Sequence, residues 1–164
     1  MSLLRFVSFA ALAIWIGGLA VLGLVAAPAI FDALGTHDPA TGRELGGIVF
    51  GAVFGRFQRV VWVLGALLLV VLGTRAALGP RPRRLGLRMW TVALMLAAGL
   101  VSTLVLAPRI EAIRASTTGA VANLAQTDPK RITFGRLHGL STALMLGTLV
   151  AGLGLLWAEV KDTP

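Results

Sequence analysis

The sequence predicts an all-α fold: a polytopic membrane four-helix bundle made of two tandem two-helix repeats. Three observations carry this. Hydrophobic residues make up 57% of the 164 positions and charged residues only 13%, against roughly 25% charged in a soluble domain. Mean hydropathy is +0.87. The chain also echoes itself at an offset of 80 residues: Ala27-Pro28-Ala29-Ile30 returns as Ala107-Pro108-Arg109-Ile110, and Phe54-Gly55-Arg56 returns as Phe134-Gly135-Arg136. One offset held at two separate blocks reads as duplication. Residues 1–164 therefore form a single transmembrane domain, with repeat one at about 3–78 and repeat two at about 87–160.

The first helix is expected over about Leu3 to Leu34, with no charge between Arg5 and Asp32. That is longer than the roughly 20 residues that span the hydrocarbon core. It also exceeds a signal-peptide apolar region of about 7–15 residues, so it is expected to be retained. Thr41 followed by Glu44 fits a capping box that starts helix two, which runs to about Leu78 ahead of Gly79-Pro80. Its Gly47, Gly51 and Gly55 form a small-residue series that predicts close packing on a neighbour. Helix three is expected over about Leu87 to Ser116. A short helical piece follows at Val121 to Ala125, and Asp128-Pro129 caps helix four, which reaches about Val160.

The net charge is +8. The basic residues cluster at the ends of apolar runs without the aromatic-laced basic face of nucleic-acid binders, which argues against nucleic acid. Arg75, Arg81, Arg83, Arg84 and Arg88 flank the central loop. By the positive-inside rule that loop is cytoplasmic, as are both termini, which predicts a multi-pass protein of the cytoplasmic (inner) membrane. The other two loops then face outward. There is no cysteine, so no disulfide or thiolate metal site can form.

The repeated blocks fall at the outer level. There Asp32, Arg56, Arg59, Arg109, Glu111, Arg136 and His138 gather from all four helices. Ionisable groups at the hydrocarbon edge point to a site; snorkelling arginines and ion pairs such as Asp32–Arg56 or Glu111–Arg136 are the structural alternative. The cytoplasmic ends read as merely basic. His138, Ser141, Thr142 and Met145 lie on one helical stripe that should face protein. His138 takes the place of Gln58 in the first repeat. It is the one candidate metal or haem ligand: Met95 lies at another depth and Met145 on the same helix. An acid–base site of Asp32 and His138 is the only enzymatic arrangement.

The blocks Trp15-Ile16-Gly17-Gly18, Ala26-Ala27-Pro28-Ala29-Ile30-Phe31, Phe54-Gly55-Arg56, Ala107-Pro108-Arg109-Ile110 and Phe134-Gly135-Arg136-Leu137-His138-Gly139-Leu140-Ser141 resemble the transmembrane protein 205-like family. Bacterial members of that family carry the label of a domain of unknown function. The family is distantly similar to copper-resistance D proteins and to haem-binding bacterial protoporphyrinogen oxidases. Its animal member is associated with platinum-drug resistance, which implies transport or trafficking. The expected function is non-enzymatic: binding, or helping to transport, a small anionic or amphipathic ligand. Arg56, Arg59, Arg109 and Arg136 would supply charge, Asp32 and Glu111 would orient them, and His138, Ser141 and Gln58 would be polar contacts. The alternative is a b-type haem or redox protein using His138. The partners are the lipid bilayer and the ligand. Glycine faces on two helices suit packing within the bundle or against a second copy.

Overall fold

A computed structural model of the chain describes residues 3–39, 41–78 and 82–161. The helices are α1 (Leu3–Val21), α2 (Ala27–His37), α3 (Gly42–Leu78), α4 (Leu85–Val101), α5 (Ala107–Ala115) and α6 (Pro129–Lys161). A single π turn joins α1 to α2 (Leu22–Ala26), and another joins α4 to α5 (Ser102–Leu106). Four continuous segments result, Leu3–His37, Gly42–Leu78, Leu85–Ala115 and Pro129–Lys161, each long and apolar enough to cross a membrane. This is the all-α four-helix membrane bundle expected. Gly79, Pro80 and Arg81 of the central loop lie outside the described residues.

The π turns lie 80 residues apart, each just ahead of a repeated Ala-Pro. Proline cannot donate to the carbonyl four residues back, and its ring crowds that carbonyl. The ladder widens instead by one residue: the Ala27 N–H donates to Leu22 O, and the Ala107 N–H to Ser102 O. Helices one and three run through as expected, each with a π turn inside it that the proline chemistry explains and the sequence reading did not include.

The expected boundaries otherwise hold to within a few residues. Asp128 caps α6 through Oδ1, which accepts the Lys130 N–H at 2.7 Å. Helix α3 starts where expected but without a capping box, because the Thr41 hydroxyl donates to Asp38 Oδ2 and the Glu44 N–H turns to Thr41 O. The short helical piece is a 3-10 turn at Val121–Asn123.

In cross-section α1 and α4 sit on opposite corners, each packed on both α3 and α6. Trp15, Val61, Leu68, Val92 and Met95 form the core and are at most 2% exposed. Two contacts set the helix spacing. Ile16 fills the groove at Gly152, and Leu96 fills the groove at Gly65. Ile16 and Leu96 are repeat equivalents. Small residues let helices approach closely where lipid supplies no hydrophobic drive between them. Large aliphatics such as Leu24, Val63, Leu94 and Val150 point outward, as a lipid-facing surface requires.

Candidate functional site

The bundle has a loop end, with the α2–α3 and α5–α6 connections, and a terminal end, with Leu3, Lys161 and the α3–α4 connection. A cleft of about 330 Å³ opens at the loop end. Its polar wall is Arg43 and Glu44 from the first turn of α3, Arg114 from α5 and His138 from α6, with Phe31 and Phe134 as aromatic walls. The 3-10 turn at Val121 closes one side.

Local sequence explains this assembly. Gly46 and Gly47 of α3 lack the side chains that would block two neighbours. A Cβ at Gly46 would lie 2.9 Å from the Phe31 ring, and one at Gly47 would lie 3.1 Å from Arg114 Cζ. Phe31 and Arg114 therefore settle side by side against α3. Arg114 then lies over the Phe134 ring, 5.5 Å from its centroid, a cation–π arrangement. One turn further along α6, the His138 ring stacks on Phe134 with centroids 6.1 Å apart and planes 4° apart. Glu111 approaches Arg114 at 3.7 Å. The loop is held by Lys130 Nζ donating to Ser116 O and Arg131 Nη1 donating to Leu124 O. The outcome is a two-guanidinium, one-imidazole recess with a single lining carboxylate and two aromatic faces. It suits an anion that carries apolar substance.

Of the ligand-site residues expected from the sequence, His138 alone lines the cleft among the described residues. Arg56, Arg59, Arg109 and Arg136 are exposed, as are Asp32 and Glu111. Among the described residues Glu111 pairs with Arg114, three residues along its own helix, and not with Arg136. His138 does not face the bundle interior as its stripe suggested. It is exposed, Ser141 is half-buried and Thr142 is exposed. The reason is local: the Thr142 hydroxyl donates to His138 O, 3.0 Å away in its own helix, so the stripe needs no partner helix. Gln58 went the other way. It is 4% exposed inside the bundle, and its amide donates to Gly99 O at 3.2 Å. Beside it, Met95, Met145, Ser102 and Thr148 border a void of about 10 Å³. The two methionines thus share a depth, apart from the His138 cleft.

The glycine series divides as well. Gly47 receives Arg114, while Gly51 and Gly55 meet nothing within 4 Å. Arg43 and Arg114 were not named from the sequence, while Glu44 was read only as a helix cap and Phe31 and Phe134 only as members of the quoted blocks. The adjacent Gly46-Gly47 pair in the first turns of α3 was the available signal.

The terminal end is not merely basic. Glu159 on α6, 4% exposed, accepts Arg75 Nη1 of α3 at 2.8 Å and Arg88 Nη1 of α4 at 3.0 Å, both on Oε1. Arg5 Nη2 of α1 donates to the Glu159 backbone carbonyl at 2.6 Å. All four spans meet at this node. An acid in the last turn of a helix opposes the macrodipole, which was the sequence signal that Glu159 has another purpose.

No haem pair is formed in the cleft, since His138 is the single imidazole lining it. Among the described residues no three His, Asp or Glu side chains converge as a metal site would require.

The family model for a domain of unknown function, DUF4149, matches residues 10–118 of the 164. The chain belongs to the DUF4149 family. The matched stretch carries Phe31, Arg43, Glu44 and Arg114 of the cleft and ends ahead of α6, which carries Phe134 and His138. No curated protein and no solved structure matches the chain.

Proposed function

We propose that this DUF4149 protein is a non-enzymatic integral membrane protein whose loop-end cleft binds, and helps to move, a small anionic amphipath. The observation that carries the reading is the Arg114 guanidinium fixed over Phe134 beside His138, with Arg43 across the cleft. The guanidiniums would hold the anionic group, since arginine's fork of donors suits carboxylate and phosphate. Phe31 and Phe134 would take the apolar part. The protein would sit in the cytoplasmic (inner) membrane with both termini cytoplasmic, supported by the arginines around the central loop. Kinship with the transmembrane protein 205-like family is proposed on the repeated Ala-Pro and Phe-Gly-Arg blocks.

The test is native mass spectrometry of the full chain with phosphatidylglycerol and phosphatidylcholine. The wild type should retain phosphatidylglycerol preferentially. Arg43→Gln with Arg114→Gln should remove that preference while leaving the fold intact. Equal retention of both lipids by the wild type would sink the reading. A second reading, a b-type haem held by His138, is favoured by the exposure of that ring to the cleft. It requires ligation by one protein nitrogen. A Soret band in protein purified after expression with ample haem, lost in His138→Ala, would establish it.

A further inference from the structure

The Glu159 carboxylate is used unevenly. Oε1 accepts both Arg75 and Arg88, whereas Oε2 is buried and accepts no hydrogen bond among the described residues. Buried polar atoms are ordinarily satisfied by protein or by ordered water. Here a void of about 10 Å³ lies between the spans, bordered by Glu159, Ser8 and Arg88 and walled by Leu12, Leu68 and Val92. That volume is about the minimum that holds one water. It leaves no space for a lipid group or an organic anion.

We infer that one ordered water occupies this void and donates a hydrogen bond to Glu159 Oε2. The site has the chemistry a water needs, which is two to four polar partners. Oε2 is an acceptor, the Arg88 guanidinium is a donor, and Ser8 Oγ has an acceptor lone pair. Ser8 Oγ already donates to Leu4 O at 3.1 Å and lies 3.5 Å from Arg75 Nη1, so it is fixed in place. A cation would face Arg75 and Arg88 at close range, which disfavours it. The water completes the carboxylate's second oxygen and holds Glu159 square to both arginines. It makes the node where the four spans meet a hydrated one, sealed from the core by leucine and valine.

The test uses the full chain in lipid nanodiscs with carboxyl-labelled glutamate. The chain has only Glu44, Glu111 and Glu159, so three carboxyl signals are expected, and Glu44→Gln and Glu111→Gln assign the Glu159 signal by elimination. Water-edited solid-state NMR should show transfer from water to the Glu159 carboxyl. Ser8→Val, which fills the void, should lose that transfer, and Ser8→Ala should keep it. Absence of transfer in the wild type would overturn the inference without any variant. So would a Glu159 signal typical of a protonated acid, which would place a proton on the oxygen instead. Undiminished transfer in a folded Ser8→Val protein would also overturn it.

Discussion

Arg88 and Glu159 lie 71 residues apart and meet at 3.0 Å inside the bundle, with side chains 6% and 4% exposed. Arg75 reaches the same carboxylate oxygen from α3. One carboxylate thus ties the first repeat to the second at the terminal end.

Glu159→Gln should be strongly destabilising. Removing one member of a buried ion cluster leaves uncompensated charge, at a cost of about 3–5 kcal/mol. Unfolding in mixed detergent micelles measures it. Replacing Arg88 and Glu159 together with Met and Leu should recover much of that loss, because the pair's desolvation penalty disappears with the pair. Arg75 would then face no carboxylate, so the recovery should be incomplete.

The two glycine grooves make a contrast of sign. A Cβ at Gly152 would sit 2.6 Å from Ile16 Cγ1, whereas Gly154 meets nothing within 4 Å. Gly152→Ala should destabilise by about 1–3 kcal/mol through overpacking. Gly154→Ala should be neutral or stabilising by up to about 1 kcal/mol, since alanine is the better helix former. The same unfolding assay separates the two.

Pro28→Ala with Pro108→Ala should restore ordinary helical hydrogen bonding across both π turns. A π turn carries one extra residue, so its loss would rotate α2 and α5 by about 100° relative to α1 and α4. Phe31 and Arg114 would leave the cleft. The expected outcome is an intact fold with lost phosphatidylglycerol preference, read by native mass spectrometry. Retained preference in the double variant would show that the π turns do not set the cleft.

The four spans were legible because membrane crossing demands length and apolarity, both of which are sequence properties. The 80-residue echo marked Pro28 and Pro108, but not the π turns they cause, since proline in a helix also produces plain kinks. The cleft was legible only as a level. His138 lines it, yet its direction was misjudged because Thr142 satisfies its hydroxyl within α6. The charged residues of the repeated blocks drew attention, whereas Arg114 is set in place by Gly47 and Arg43 lines the cleft from the first turn of α3. The Glu159 node was hidden because its partners lie 71 and 84 residues away. The acid in the last turn of α6 marked Glu159 as unusual, but which arginines meet it follows from the packing of four spans.

The most direct measurement of the central claim is NMR of the histidine rings in nanodiscs during titration with dodecyl phosphate. The chain has two histidines, and only His138 lines the cleft. A saturable shift of the His138 ring signals is expected, with none for His37 and none for either with neutral dodecyl maltoside. Unchanged His138 signals, or parallel drift of both histidines, would contradict it.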